Sequence, residues 1–366
     1  MLCIGIDARE LVGQPAGKGQ YLKRILESWL QQTDVSLKLI LYIQEGHTLE
    51  LTSSQYVNVV MQPQKGRAVL WHRNVSKRLV NDGVAVFFAP FSYQSAIWNS
   101  VPTVTTVHDL AIFLLPGVSH NRRAQLIEKI FLKRCIRKSA ALIAVSQSTA
   151  HDLVQVSAVS PKKIIITPLA PLLEPAEALP LAKRNAYFLF VGTLEPRKNI
   201  PILLQAYALL SVDERKNHPL MLAGKPGWGG ENYQQMAREL AIETTVQFLG
   251  YVPNEKLIEL YKHAYIFVYP SLYEGFGLPV VEAMAYGTPV ITSNTSSLPE
   301  VVGDAGVLCD PADAQALSFA MKHYLQDEDF WQQKSTAALT AAKKFTWEAT
   351  AKTTLAMLEN VSQSKN

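Results

Sequence analysis

The sequence predicts an α/β protein built as two doubly wound, Rossmann-like domains in tandem, and three observations carry that expectation. Short apolar runs alternate with helical stretches through the first half of the chain, the pattern of a parallel sheet covered on both faces. A proline-dense segment then breaks the rhythm, and the same alternation starts again after it. At 366 residues the chain exceeds what one hydrophobic core ordinarily organises.

Taken in order, strands are expected at 2–6, 37–43, 57–61, 84–89, 103–107, 141–145 and 163–168. Between the first two lies a loop, LVGQPAGKG at 11–19, leading into a helix at about 20–31. That loop follows the carboxyl end of the first strand, where ligands bind in open α/β sheets. It does not spell GxGxxG, so a standard dinucleotide fingerprint is excluded and only a glycine loop over phosphate is retained.

The segment PLAPLLEPAEALP, 168–180, carries Pro168, Pro171, Pro175 and Pro180, which block helix and central strand alike. It reads as the interdomain linker. Strands follow at 187–191, 220–223, 245–249, 265–269, 290–292 and 306–309, and a terminal helix begins at 347. The expected division is 1–170, 171–345 and a C-terminal helical segment 346–366. Two such halves facing each other leave a cleft between the carboxyl ends of their sheets, where ligands are usually found.

Composition narrows the class. Hydrophobic content of 48% and charged content of 18% describe a soluble, enzyme-like chain. A net charge of +4 is too weak to imply nucleic acid, yet it suits an anionic ligand or an anionic membrane surface. Cys3, Cys135 and Cys309 lie far apart without a CxxC pair, so neither a disulfide framework nor a zinc site is indicated. Asp7 and Arg9 interrupt the N-terminus before a signal-peptide core could form, and no apolar run approaches the roughly 18 residues of a membrane span. A reducing, cytoplasmic setting is therefore expected, with any membrane contact peripheral.

The chemistry concentrates in YPSLYEGFGLPVVEAMAYGTP, 269–289. A strand end, a loop holding Gly275 and Gly277, and a helix restarting near Leu278 and Pro279 make a place for an anion, because first-turn N–H groups and the helix dipole favour negative charge. Glu274 and Glu282 bracket the loop. Carboxylates repel phosphate, so they are expected to face hydroxyls on a neutral part of the same ligand; a nucleotide sugar has that shape. Arg197 and Lys198, in GTLEPRKNI after the strand 187–191, add a planar fork and a point charge suited to a diphosphate.

The residues GTLEPRKN, PSLYEGFGLPVVEAMAYGTPVI and SSLPEVVGDAG closely resemble the C-terminal domain of the family-4 retaining glycosyltransferases, which have the GT-B fold. The resemblance runs from the first strand to FTWEATA near Phe345. It implies an acceptor-side N-terminal domain, a nucleotide-sugar-binding C-terminal domain, and a crossover that returns the terminal helix to the first domain. It implies that Arg197 and Lys198 grip the donor diphosphate, that Glu282 binds ribose hydroxyls, and that Glu274 approaches the transferred sugar. Backbone N–H groups around Gly275, Phe276, Gly277 and Leu278 would cradle sugar and phosphate, and Tyr251 and Val252 would meet the nucleobase. His108, in the segment TVHDL, would face the sugar through a donated or accepted hydrogen bond, with Asp109 positioning it or approaching the acceptor. Gly17 and Gly19 would contact phosphate or acceptor; Gln20 stands where the family commonly has arginine, so that arginine's contact is missing.

The same resemblance implies front-face substitution with retention; no acidic cluster with metal-ligand spacing stands at a strand end, so no metal and no cofactor are expected to be needed. The first expectation for the donor is GDP-mannose, the second a UDP-hexose, with a saccharide or lipid-linked saccharide of surface polysaccharide as acceptor. A nucleotide-sugar epimerase of GT-B type and a non-catalytic two-lobed sugar-binding protein are the alternatives. The stretch 121–140 sets Arg122, Arg123, Lys129, Lys133, Arg134, Arg137 and Lys138 on one broad helical sector with Leu126 and Ile130. That mixture fits either a solvated domain face or an anionic bilayer on the cytoplasmic side.

Overall fold

The computed structural model describes all residues except 13–16, 32–35, 48–50, 52–56, 92–94, 116–121, 174–177, 185, 228–231 and 365–366; the side chains of 68, 122–125, 127 and 128 are also outside the description. Parts of the loop 11–19 and of the linker 168–180, and the side chains of Arg122 and Arg123, thus lie outside the described residues. The chain forms two compact units: Met1–Leu169 completed by Thr346–Asn366, and Ala170–Phe345.

The first unit holds a seven-stranded sheet of β1 (Leu2–Asp7), β2 (Leu37–Gln44), β3 (Val57–Gln64), β4 (Val86–Ala89), β5 (Thr103–Val107), β6 (Ala141–Ala144) and β7 (Ile164–Ile166). Its order is β3-β2-β1-β4-β5-β6-β7, and every pairing is parallel. Every residue of β4, β5 and β6 is buried, which is why these strands read as unbroken apolar runs rather than alternating ones. The order reverses between β1 and β4, so their carboxyl ends open the crevice of this unit.

Two of the boundaries that differ from expectation shift by three residues. β3 continues past 61 through Pro63, which pairs with Ile43. The strand is at the sheet's edge, where the missing proline N–H deprives no neighbour of a bond. The first helix spans Gly17–Leu30 and so begins three residues before the expected 20; the glycines that read as loop form its first turn.

Trp71, Tyr42, Phe87 and Val75 pack as one core cluster, and Leu110, Leu132, Ile136 and Leu153 as another. Each such side chain contributes about 1.5–3 kcal/mol on burial. The C-terminal helix, Trp347–Gln363, belongs to this unit and buries Ala351, Thr354, Leu355 and Leu358. Thr346 caps it by accepting from the Ala349 N–H. Trp29 Nε1 donates to the Ala351 carbonyl at 2.9 Å, and Thr350 Oγ1 donates to the Pro168 carbonyl at 2.6 Å.

The second unit repeats the plan with β8 (Phe188–Val191), β9 (Leu220–Ala223), β10 (Val246–Gly250), β11 (Ile266–Tyr269), β12 (Val290–Ser293) and β13 (Val307–Cys309). The order is β10-β9-β8-β11-β12-β13, all parallel, with the reversal between β8 and β11. After β8 and β9 the backbones of Gly192 and Gly224 run so close that a Cβ on Gly224 would fall 1.8 Å from the Gly192 carbonyl oxygen.

Arg184 is buried in this unit without a carboxylate partner in its recorded contacts. It donates instead to the carbonyls of Leu179, Lys262, Ala264 and Tyr286 and to Thr288 Oγ1. Lys262 and Tyr286 stand at the carboxyl ends of the helices Asn254–His263 and Leu278–Ala285, so the guanidinium meets the negative ends of two helix dipoles. Among the described residues, no helix is long and apolar enough to cross a membrane.

Candidate active site

The carboxyl ends of β8, β11 and β12 bring three loops together. β8 runs into Gly192 and a tight turn, Pro196–Lys198, followed by the helix-starting residue Ile200. Asn199 takes the left-handed conformation at φ +58°, closing that turn, and its side chain donates to the Pro311 carbonyl at 2.7 Å. β11 ends at Tyr269 and is followed by Ser271, Glu274 and the glycine turn. Gly277, at φ +109°, stands immediately before the helix Leu278–Ala285, and a Cβ there would meet Leu298 Cδ2 at 2.9 Å. This position therefore needs glycine on two counts. The helix has Pro279 in its first turn, and the first-turn N–H groups have no acceptor within the helix.

Arg197, Lys198 and Glu274 meet. Lys198 Nζ donates to Glu274 Oε1 at 2.6 Å and also to the Tyr269 hydroxyl. Arg197 Nη1 donates to Glu274 Oε2 at 2.7 Å and to the Tyr273 carbonyl at 2.9 Å, while its Nε and Nη2 reach Glu195 Oε1 at 3.2 and 2.7 Å. Ser271 Oγ and the Tyr269 hydroxyl donate to Glu274 Oε1 at 2.7 and 3.0 Å. Two cations thus sit against two carboxylates.

This arrangement differs from one in which the basic pair stands free and the carboxylate looks away toward hydroxyls. The cause is burial, since a carboxylate removed from water must be paired. Burial alone would raise the Glu274 pKa; Lys198 and Arg197 outweigh it and hold the carboxyl down at about 2. Burial draws the Lys198 ammonium below its usual range, against the pull of Glu274.

Glu282 lies further along the same helix and is buried away from any cation in its recorded contacts. It accepts from the Tyr261 hydroxyl at 3.0 Å and from the Leu172 backbone N–H. Burial pushes its carboxyl up to about 7, and those two donors only partly oppose the rise. Tyr251 and Val252 follow β10 and line a cavity of about 710 Å³ with Met221, Leu249, Glu255 and Leu260. Tyr251 is exposed, and Lys225 Nζ sits 4.8 Å from the centre of its ring.

In the first unit, His108 follows β5. Its Nε2 is 2.7 Å from the Pro90 carbonyl, and its ring meets Tyr21 edge-on at 4.9 Å. Burial, reinforced by the charge of Lys18, lowers its pKa to about 4. The ring is therefore neutral and donates to Pro90. Asp109 Oδ1 accepts from the Ala111 N–H at 3.1 Å, just ahead of the short helix that begins at Ala111. Lys18 lies in the first helical turn between Gly17 and Gly19, so that turn and His108 share one corner of the crevice.

Glu195, Tyr269, Ser271, Ser296 and Tyr261 were not anticipated. Glu195 stands two residues before Arg197, a spacing at which a turn returns one side chain to the other. The hydroxyl groups carry no comparable signal in the sequence. Among the described residues, no three His, Cys, Asp or Glu side chains group as metal ligands.

Two family descriptions match this chain: Glycosyltransferase Family 4 over residues 41–170 and Glycosyl transferases group 1 over 174–344. The Escherichia coli O-antigen chain mannosyltransferase B is 42% identical over 256 residues, 67% of this chain and 67% of that protein. The E. coli serotype-specific mannosyltransferase WbdA is 31% identical over 279 residues, which cover 69% of this chain but 33% of WbdA. Among solved structures, sucrose-phosphate synthase from Thermosynechococcus elongatus superposes with a TM-score of 0.79 over 100% of both chains at 20% identity. Fold and matched regions define the class, a glycosyltransferase of GT-B architecture. The chain belongs to the family-4 glycosyltransferases, whose group 1 domain spans most of its second unit.

Proposed function

We propose that this glycosyltransferase moves mannose from GDP-mannose, with retention of configuration and without a metal, to a saccharide or lipid-linked saccharide of a surface polysaccharide. The observation that carries the reading is the convergence of Lys198 and Arg197 on Glu274 beside the amino end of the helix Leu278–Ala285. The relatives named above, both mannosyltransferases of E. coli, support mannose as the sugar.

The chemistry follows from charge. As the bond from the anomeric carbon to the phosphate oxygen breaks, negative charge grows on the departing diphosphate, and Lys198, Arg197 and the backbone N–H groups of Gly277 and Leu278 would receive it. The acceptor oxygen then bonds to the anomeric carbon from the same face, and its proton passes to the departing phosphate oxygen. Glu274 holds the two cations in register and lies next to the sugar. Glu282 accepts from ribose hydroxyls, and Tyr251 and Val252 border the base. In the first unit, His108 donates toward the sugar once released from Pro90, and the turn holding Gly17 and Gly19 contacts phosphate or acceptor. Fixed cations supply what a divalent ion would otherwise supply, so no metal or other cofactor is required.

We place the reaction on the cytoplasmic face of a membrane. Three unpaired cysteines support a reducing compartment. The helix Arg122–Lys138 exposes Leu126 and Ile130 beside Lys133, Arg134, Arg137 and Lys138, a combination suited to anionic lipid. Co-sedimentation with phosphatidylglycerol vesicles at low salt, lost at high salt, tests that contact.

The donor is tested by following nucleoside diphosphate release from GDP-mannose, UDP-glucose and UDP-galactose, with and without a mannoside acceptor and with EDTA present. Acceptor-stimulated release from GDP-mannose in EDTA is expected. Release from a UDP-hexose alone would overturn the assignment of the sugar, and loss of activity in EDTA would overturn metal independence.

A further inference from the structure

We propose that Ser296 is a positioning residue for glycosyl transfer, holding Glu274 where the basic pair meets it. Ser296 lies in the loop after β12 with φ +52°, a left-handed conformation that residues with a side chain rarely adopt. Its hydroxyl accepts from the Glu274 backbone N–H at 3.0 Å. The neighbouring Ser297 hydroxyl shares its one proton between the Glu274 and Phe276 carbonyls at 2.9 and 2.8 Å, and Thr295 Oγ1 donates to the Leu272 carbonyl at 3.2 Å. The peptide groups on both sides of Glu274 are thus clamped from one loop, the amide by Ser296 and the carbonyl by Ser297. On the opposite side, the Leu272 N–H donates to the Arg197 carbonyl at 2.9 Å, which ties the same segment to the basic turn.

The conformation identifies what serine contributes. Glycine would reach φ +52° more readily than serine, so backbone comfort does not call for serine here. The side-chain oxygen does: it is the acceptor that the Glu274 amide uses, and the left-handed turn aims it there. Backbone strain beside a reaction site, maintained by the surrounding structure, fits a residue kept for geometry.

This inference rests on the reading that Glu274, Arg197 and Lys198 form the reaction site. The test compares wild type, Ser296→Gly and Ser296→Ala by kcat, donor KM and Tm. The donor is whichever of GDP-mannose, UDP-glucose and UDP-galactose the wild type turns over fastest, with methyl α-mannoside as acceptor. Both variants are expected to lose about 10- to 100-fold in kcat, the scale of a misplaced reacting group, with donor KM changed much less. Ser296→Gly is expected to keep or raise Tm while Ser296→Ala lowers it, so activity and stability part company. Wild-type kcat in Ser296→Gly, or a kcat loss that merely follows Tm, would overturn the role. Turnover of a UDP-hexose but not GDP-mannose would sink the mannose assignment and leave this comparison intact.

Discussion

Lys198 Nζ and the Glu274 carboxylate stand 2.6 Å apart, both side chains more than nine-tenths buried, and Arg197 shares the same carboxylate at 2.7 Å. A lysine so placed is a fixed charge whose orientation is settled before substrate arrives. Replacing it with alanine removes one of the two cations proposed to serve the leaving group. Lys198→Ala should lower kcat about 100- to 1,000-fold, the usual loss of about 2.7–4 kcal/mol for one oxyanion-stabilising donor. Lys198→Arg should not restore it, because the buried site fits a point charge rather than a fork. Steady-state kinetics on the purified variants decides this; turnover near wild type in the alanine variant would end the leaving-group role.

Acid should act on the two units unequally. In the first unit, burial lowers both His72 and His108 to about 4. Their unfolded forms take up protons below about 6.5, so stability falls as pH drops from 6.5 toward 4. In the second unit burial also lowers His218, which loses stability as pH falls below 6.5, but Glu282 is raised to about 7 and contributes a gain as pH falls from 7 toward 4.5. Glu274, held at about 2, withdraws stability only below about 4.5. Moving from pH 7.5 to pH 5 should therefore cost the first unit about 2–5 kcal/mol and the second less, because Glu282 offsets the loss at His218. Hydrogen exchange at the two pH values reads this directly, and His72→Gln should remove about half of the effect. Equal loss of protection in both units would refute it.

Gly224 cannot carry a side chain. A Cβ would fall on the Gly192 carbonyl, which belongs to backbone rather than to a movable side chain. Gly224→Ala should cost about 3 kcal/mol or more, above the usual range for overpacking, because two loops at the ligand edge must separate. Urea unfolding measures the loss, and a change under 1 kcal/mol would show that the loops yield easily.

Arg184 offers a different kind of dependence. Its removal takes one donor away from four carbonyls and one hydroxyl at once. Arg184→Met should destabilise by about 3–5 kcal/mol, and Arg184→Lys should recover only part, since an ammonium cannot span the fork's reach. Chemical denaturation of both variants provides the comparison; a lysine variant equal to wild type would contradict the geometric argument.

The strands were readable because buried parallel strands are continuous apolar runs, and Phe188–Val191 or Ile266–Tyr269 need no context to be recognised. The tail of β3 was not, because Pro63 argues against a strand until its edge position is known. Gly17 and Gly19 misled for a related reason: glycine marks loops in a sequence, yet a helix can start on it when the first turn is held from elsewhere. At the site, the proximity of Arg197 and Lys198 to the glycine turn could be anticipated from motifs that share a sheet edge. The ion pairs to Glu274 and Glu195 could not, since whether a carboxylate faces solvent or a cation depends on burial. Ser296 was invisible, because nothing in the letters SNTSS distinguishes the one serine with positive φ.

The C-terminal helix has a consequence for biosynthesis. Trp29 and Pro168 wait for partners at Ala351 and Thr350 that leave the ribosome only after the whole second unit. During translation the first unit to be made is the second to be finished, its hydrophobic seat left open while the entire nucleotide-sugar half emerges and folds. A nascent chain stopped before Thr346 should expose that seat to chaperones, and a gene fragment ending at Leu169 should yield an incomplete product.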